Sequence, residues 1–246
     1  VMLFEAKHGR LLALMDATEI TAIRTAAVSG VATQALANPD AGDLAILGSG
    51  TQAHTHLQAM AQARTLRRVR VWSRNAANAR AFAAREAGTV PVAIEVCDTA
   101  RGAVTGADLI CTTTSSPEPV LLGDWLAPGV HINAVGSSVA HARELDAAAM
   151  VRGRLYVDRR ESTLNESGDF LMAKREGALT DASILGELGE VLIGSRPGRA
   201  SAADITIFKS LGIAVEDLAS AAFLYRRALE TGAGQRVEMG GVRSEE

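Results

Sequence analysis

The junction that decides the fold of this chain reads Asp43-Leu44-Ala45-Ile46-Leu47-Gly48-Ser49-Gly50-Thr51-Gln52-Ala53. Its first half can form a buried parallel strand, and a stretch compatible with a helix follows the glycines. Gly48 permits a tight turn, Gly50 lets the backbone approach a pyrophosphate, and small Ala53 allows close packing of the helix on the strand. The amides that open the helix favour an anion. With a second strand expected at 69–72, the junction predicts a dinucleotide site, although an ordinary tight strand–helix turn could carry the same three residues.

The composition is that of a globular protein. The 246 residues are 48% hydrophobic and 22% charged, which fits one sizeable α/β domain with additional structure. A net charge of −3 gives no electrostatic footprint for nucleic acid. We find no apolar run of the roughly 20 residues that a membrane span needs and no signal-peptide pattern, so we expect a cytoplasmic protein without a membrane partner. Cys97 and Cys111 lie in apolar surroundings and are expected to be reduced core residues.

The first forty residues predict a β-hairpin followed by a long helix. Two apolar runs, 1–5 and 11–15, form the hairpin, and because a start in mid-sheet is unusual we expect a preceding segment that this sequence lacks. A capping box beginning at Asp16 starts the helix, which would end near Ala37. Its apolar stripe is predicted to consist of Ile20, Ile23, Ala27 and Val31. Arg24, on the shoulder of that stripe, could hold a carboxylate in an adjoining cleft or could be solvated.

From Asp43 onward, strand-like runs alternate with helical stretches. The strands are expected at 44–47, 69–73, 92–96, 108–112, 130–134 and 154–157, and the helices near 51–64, 75–87, 99–105 and 144–151. Such alternation predicts an α/β fold with a doubly wound parallel sheet covered on both faces. Further elements are expected as a loop at 158–168, a helix at 183–193, a strand at 205–208, a helix at 213–229 and a loose tail from Gly232.

Ligands of such sheets bind beyond the carboxyl ends of the strands. The residues to inspect are therefore 49–52, 73–75, 112–115 and 135–138. No metal site is expected, because His54 and His56 are two residues apart on a helix and do not share a face.

The end of the second strand bears on the cofactor. NAD-specific sites usually place an acidic residue about 20 positions after the glycines, but here the strand ends Ser73-Arg74-Asn75. Ser73 leaves room, and Arg74 offers a positive fork for a 2′-phosphate. NADP (NADPH) is therefore preferred and NAD is an option. Alternatively, Arg74 only begins the next helix or stacks on adenine.

Six motifs spread over nearly the whole chain are Arg24-Thr25-Ala26-Ala27, the Gly48 loop with Gln52-Ala53, the run 132–137, Glu144-Leu145-Asp146, Glu166-Ser167-Gly168-Asp169 and the run 208–217. Together they resemble the ornithine cyclodeaminase and mu-crystallin family. The resemblance implies a homodimer with a Rossmann-type domain, residues 37–204, inserted in a smaller α+β substrate and dimerisation domain. The pieces of that smaller domain would be residues 1–36 and 205–246, with its N-terminal part truncated.

The resemblance also implies roles for matching residues. Arg24 would grip the substrate carboxylate. The implied cofactor contacts are Gly48, Ser49, Gly50, Thr51, Gln52, Ser73, Arg74, Asn75, Thr113, Thr114, Val135, Gly136, Ser137, Ser210 and Leu211. Within this set, Thr51 and Gln52 would contact the pyrophosphate. Residues 135–137 would flank the nicotinamide, and Ser210 with Leu211 would close over it.

Two departures from the family pattern matter. Ser138 stands where cyclodeaminases have an aspartate, and a hydroxyl cannot replace a carboxylate in proton abstraction, a step worth about 10² to 10⁴-fold. Members with a serine there are associated with the reduction of cyclic ketimines. The family also has a substrate-binding arginine and a lysine in an N-terminal segment that this sequence lacks.

The resemblance therefore implies NAD(P)H-dependent reduction of a small cyclic imino acid, such as pyrroline-2-carboxylate or piperideine-2-carboxylate, to the cyclic amino acid. Ser138 is one candidate for relaying the proton, beside solvent and the absent lysine. Two alternatives stay open: NAD-dependent ornithine cyclodeamination, and nucleotide-dependent binding with little turnover.

Overall fold

The computed structural model, which describes residues 1–237, contains an eight-stranded parallel sheet within residues 43–209. Its strands are β3 (Asp43–Leu47), β4 (Arg68–Trp72), β5 (Ile94–Val96), β6 (Leu109–Thr112), β7 (His131–Ala134), β8 (Arg154–Val157), β9 (Ile184–Glu187) and β10 (Thr206–Lys209). They are ordered β5-β4-β3-β6-β7-β10-β8-β9, and every neighbouring pair is parallel. The predicted α/β fold with a parallel sheet is confirmed.

The central strands are apolar because both faces of the sheet are covered. Successive residues of β3 point to opposite faces, so Leu44 and Ile46 join one core cluster and Ala45 and Leu47 join another. All four side chains are fully buried. Each fully buried Leu or Ile side chain contributes about 1.5–3 kcal/mol relative to an exposed one. This contribution explains the nearly continuous apolar runs in the sequence.

The register aligns the carboxyl ends of the central strands. Leu47 pairs with Thr112, Thr112 with Ala134, Ala134 with Lys209, and Lys209 with Val157. The residues that follow these strands, including Gly48 and Val135, therefore meet at one edge of the sheet, where a parallel sheet binds its ligands.

Nine α-helices are present in the described part of the chain. They are α1 (Ala17–Leu36), α2 (Thr51–Ala63), α3 (Ala76–Arg85), α4 (Ala100–Val104), α5 (Ala147–Arg152), α6 (Arg160–Glu166), α7 (Gly168–Arg175), α8 (Leu188–Leu192) and α9 (Ala214–Thr231). The predictions of α1 to α5 and of α9 are confirmed. Side-chain caps explain several starts: Asn75 caps α3, Thr99 caps α4 and Asp146 caps α5.

Of the predicted apolar face of α1, Ile20 is buried as expected, and the other three positions were wrong. Ile23 is 59% exposed and Val31 is 38% exposed, and Ala27 is exposed as well. The buried face consists instead mainly of small residues, among them Ala22, Ala26, Ser29 and Thr33. It ends at the larger Leu36. Small side chains let α1 approach α2 closely enough for hydrogen bonds, such as the one between Ser29 Oγ and His56 Nε2 at 2.9 Å.

Two other local predictions were also wrong. The stretch 158–168, expected to be a loop, contains α6, and the stretch 183–193, expected to be one helix, contains strand β9 before the short helix α8. β9 forms at the sheet edge because Ile184 and Gly186 pair with β8. Short apolar runs do not distinguish strand from helix by periodicity alone.

The chain divides into two compact units. One contains Val1–Ile20 and the described residues from Ala214 on, and the other is Thr21–Ile213. In the first unit, β1 (Met2–Phe4) and β2 (Leu11–Leu14) form the predicted antiparallel hairpin. These bounds differ from the predicted 1–36, 37–204 and 205–246, and the roles assigned to those segments stay predictions. Of the predicted loose tail, residues 238–246 lie outside the described residues.

Cys97 and Cys111 are free thiols, as predicted. Burial raises the pKa of the Cys111 thiol to about 12. Between residues 1 and 237, no helix is long and apolar enough to cross a membrane. Within the same range, no group of three His, Cys, Asp or Glu side chains could hold a metal ion.

Candidate cofactor and substrate site

The turn after β3 requires glycine at its first position. Gly48 has a φ of 122°, and a Cβ there would lie 2.6 Å from the carbonyl oxygen of Thr113. Its N–H donates to the Trp72 carbonyl at 2.8 Å, which joins the turn to β4. At Gly50, by contrast, a Cβ would meet no atom within 4 Å. The space beside Gly50 is open, as it must be where a backbone cradles a phosphate group.

The start of α2 is suited to an anion. Gly50 is the residue before the first helical position, and no side chain caps the helix there. The first amides of this 13-residue helix are therefore available to a ligand. Ala53 is fully buried, as close packing of the helix requires, and the buried Gln52 Oε1 has no hydrogen-bond partner within residues 1–237. Thr51 is exposed.

The end of β4 carries the predicted ribose contacts. Ser73 Oγ accepts from Ser49 Oγ at 3.1 Å, so the two predicted residues lie together. Asn75 Oδ1 accepts from the Ala77 N–H at 2.9 Å and caps α3. Arg74 is exposed, and no hydrogen bond or ion pair joins it to another residue of the described range. Its guanidinium can therefore turn toward a phosphate without breaking a contact of the fold.

The loop after β7 is tightly constrained. Ser137 has a φ of 57°, a left-handed conformation that is uncommon for serine. Its buried hydroxyl finds no partner among the described residues. At Gly136 a Cβ would collide with the Thr114 carbonyl and the Glu144 carboxylate. Ser138 follows on the exposed part of the loop.

The two threonines predicted near the cofactor take part in the fold itself. Thr113 Oγ1 donates to the Leu47 carbonyl at 3.1 Å. The Thr114 N–H donates to Glu144 Oε1 at 2.5 Å, and its hydroxyl accepts from the Ser116 N–H at 3.1 Å. These contacts line up the loop after β6 with the loop after β7.

A buried charged cluster lies under the loop after β7. Lys209 Nζ is 3.0 Å from Asp169 Oδ2, and both side chains are fully buried. Glu144, also fully buried, accepts from Thr112 Oγ1 at 2.7 Å and from the Gly136 N–H at 2.8 Å. Burial, and after it the charge of Asp169, raises the pKa of Glu144.

Arg24 lies beside the loop after β10. Asp158 Oδ2 accepts from the Leu211 N–H at 2.5 Å and from the Gly212 N–H at 2.6 Å, which fixes this loop. Gly212 has a φ of 84°, and a Cβ there would collide with the Arg24 guanidinium. The hydroxyl of Ser210 is buried and has no partner in the part of the chain described. Arg24 of α1, beside this loop, therefore lies at the carboxyl edge of the sheet.

The profile of the ornithine cyclodeaminase/mu-crystallin family matches residues 1–232. The chain belongs to this family. It is 47% identical over 225 residues to ketimine reductase mu-crystallin of Mus musculus, covering 92% of this chain and 68% of that protein.

Two solved structures of family members are similar. Δ1-pyrroline-2-carboxylate reductase of Thermococcus litoralis, in complex with NADH and L-proline, superposes with a TM-score of 0.94 at 40% identity, covering 96% of this chain and 73% of that one. An archaeal alanine dehydrogenase dimer with bound NAD has a TM-score of 0.92 at 30% identity, covering 97% and 73%. The resemblance inferred from the sequence motifs is confirmed.

Four charged residues of the site were given no role from the sequence. Glu144, Asp169 and Lys209 were noticed only as parts of motifs, and Asp158 only as the start of the predicted loop 158–168. One signal was available: a charged residue that ends or directly follows a mainly apolar, buried strand is costly unless it is paired. Lys209 and Asp158 both have that position, at β10 and β8.

Proposed function

We propose that the protein is a reductase that uses a nicotinamide dinucleotide to convert a small cyclic imino acid, such as pyrroline-2-carboxylate or piperideine-2-carboxylate, into the cyclic amino acid. One juxtaposition carries the proposal: the glycine turn at Gly48 and the loop after β10, beside which Arg24 of α1 lies, are at the same edge of the sheet. The functions of the mouse and Thermococcus relatives support it.

The site residues fit a dinucleotide. The open space at Gly50, the uncapped start of α2 and the unpartnered buried hydroxyls of Ser137 and Ser210 are features that a bound cofactor would use. When bound, the reduced nicotinamide supplies a hydride for the carbon of the C=N bond.

The chain itself supplies binding and orientation. Arg24 would hold the substrate carboxylate through charge-assisted hydrogen bonds, which fixes the C=N carbon in place. The loop at 135–137 would flank the reacting ring, and Ser210 and Leu211 would cover it. The imine nitrogen gains a proton in the reaction. Ser138 is exposed, and its hydroxyl would relay this proton from solvent.

We propose NADPH as the preferred cofactor and NADH as the weaker one. Arg74 is exposed and close in sequence to Ser73, and its guanidinium matches the geometry of a 2′-phosphate. The NADH in the Thermococcus structure belongs to that protein, so a direct comparison of both cofactors is needed here.

A homodimer is proposed as well, in line with the dimeric archaeal alanine dehydrogenase. The cytoplasmic location stays a prediction from the sequence.

The proposal is tested by following NADPH oxidation by the full-length protein with pyrroline-2-carboxylate, piperideine-2-carboxylate and ornithine offered in parallel. Rapid oxidation with a cyclic imine is the expected result. Ammonia release from ornithine with NAD would instead support cyclodeamination, which the serine at position 138 disfavours. Tight NADPH binding without any turnover would support a binding protein and contradict the proposal.

A further inference from the structure

Charged side chains hold the backbone of Gly136 at both its N–H and its carbonyl group. Its N–H donates to Glu144 Oε2 at 2.8 Å, and its carbonyl accepts a hydrogen bond from the Lys209 ammonium. Both side chains are fully buried. These two groups belong to the successive peptide units on either side of the Gly136 Cα. Since bonds to charged groups are stronger than neutral ones, both units have little freedom to rotate.

Asp169 closes these contacts into a ring. Its Oδ1 accepts from the N–H groups of Glu144 and Leu145 at 2.7 and 2.9 Å, and its Oδ2 lies 3.0 Å from Lys209 Nζ. The contacts run from Gly136 through Glu144, Asp169 and Lys209 and return to Gly136. We call these four residues the Gly136 ring.

The Gly136 ring is costly to bury. Removing charges from water disfavours folding unless they are paired, and well-packed apolar residues in place of a buried ion pair are often neutral or stabilising. Two carboxylates and one ammonium in a dry interior therefore call for a reason other than stability. The loop above the ring supplies one, because Ser137 follows Gly136 directly and has a left-handed backbone that needs support.

We propose that the three charged residues of the Gly136 ring are positioning residues. They fix the backbone on both sides of Gly136, where the loop leaves β7, and so they fix how Ser137 and Ser138 are presented to the reacting ring and the imine. This inference rests on the proposed reductase function.

The informative variant is the double substitution Lys209→Met with Asp169→Asn. It removes the ammonium and one of the two carboxylates together, so the net charge of the ring is unchanged, and Glu144 keeps its hydrogen bonds to Thr112, Thr114 and Gly136. The amide oxygen of Asp169→Asn can keep both backbone hydrogen bonds at Glu144 and Leu145. The matched control is Glu86→Gln, because Glu86 is only 1% exposed and pairs with His54 at 2.8 Å and Arg85 at 2.7 Å outside the ring.

Two kinds of measurement are made on the full-length protein. The first is amide hydrogen exchange without ligand, where we expect exchange at 135–138 to rise about tenfold or more in the double variant while the rest of the sheet stays protected. The second is NADPH affinity and steady-state kinetics. We expect the Kd for NADPH to stay within about threefold and kcat to fall about 10²-fold, since a misplacement of about 1 Å can cost that much. Glu86→Gln should leave exchange at 135–138, the Kd for NADPH and kcat unchanged.

Unchanged exchange at 135–138 in the double variant would overturn the inference. So would a loss of protection throughout the sheet with NADPH affinity and kcat falling together, since the ring would then only support the core. If the unmodified protein turned over no cyclic imine, the proposed function would fail. The exchange result would still decide separately whether the ring holds this loop.

Discussion

Replacing Gly212 with alanine should weaken substrate binding through Arg24 and leave the cofactor site intact. A Cβ at position 212 would lie 2.7 Å from Arg24 Nη2, closer than real Cβ contacts allow. Because the guanidinium is the end of a flexible side chain, it is the group that moves. Alanine at position 212 also has to adopt a backbone φ of 84°, which costs about 1–2 kcal/mol of stability.

The kinetic effect follows from the contact that Arg24 would lose. A hydrogen bond to a charged group contributes about 1.5–3 kcal/mol, and each 1.4 kcal/mol is a factor of ten, so the KM for the imino acid should rise roughly 10- to 150-fold. The Kd for NADPH should stay within about twofold, because the glycine turn at Gly48 is not altered. Steady-state assays with pyrroline-2-carboxylate at saturating NADPH measure the first quantity, and fluorescence titration measures the second.

Gly88→Ala is a matched control for backbone strain. Gly88 has a φ of 83°, but a Cβ there would meet no atom within 4 Å. Both variants should lower the melting temperature by a few degrees, and only Gly212→Ala should raise KM. Equal KM values for the two variants would refute the idea that Arg24 holds the carboxylate from its place beside Gly212.

Three other predictions concern the cofactor and the core. Arg74→Ala should weaken NADPH about three- to fivefold more than NADH, as expected for an exposed charge pair, and equal losses in the two Kd values would remove the 2′-phosphate argument. Gly48→Ala should abolish dinucleotide binding, since its Cβ would lie 2.6 Å from the Thr113 carbonyl oxygen. Gly106→Ala, with a φ of 70° and open space, should leave binding unchanged; binding retained by Gly48→Ala would contradict the role of the turn. Burial lowers the pKa of His56 to about 4 from an ordinary value of 6.5, so the unfolded chain takes up this proton at higher pH than the folded one. The free energy of unfolding should therefore fall as pH drops from 6.5 toward 4, by about 1.4 kcal/mol per pH unit for this group. When this free energy is measured by urea unfolding and plotted against pH, His56→Gln should show a shallower slope than the unmodified protein.

Much of the architecture could be predicted from the sequence because the strongest local signals agree with the fold. β3 and β6 are apolar runs buried on both faces, and the turn at Gly48 admits only glycine. The starts of α3 and α5 follow from caps at Asn75 and Asp146. In each case the residues that determine the element lie within a few positions of it.

The features that sequence reasoning missed depend on partners far away in the chain. The buried face of α1 is set by small residues such as Ser29, whose partner His56 lies on α2. β9 forms through its pairing with β8. The Gly136 ring joins residues separated by up to 73 positions, as in the bond between Lys209 and Gly136. Neither periodicity nor spacing in one sequence reveals such contacts.

The most direct test of the proposed function is the transfer of a labelled hydride. Full-length protein would be given pyrroline-2-carboxylate and NADPH carrying deuterium at C4 of the nicotinamide, in each of the two stereochemical forms, and the product would be analysed by mass spectrometry and NMR. We expect proline with deuterium at carbon 2 from one form of the cofactor and unlabelled proline from the other. Proline without label from both forms, or no proline at all, would contradict direct hydride transfer to the C=N carbon.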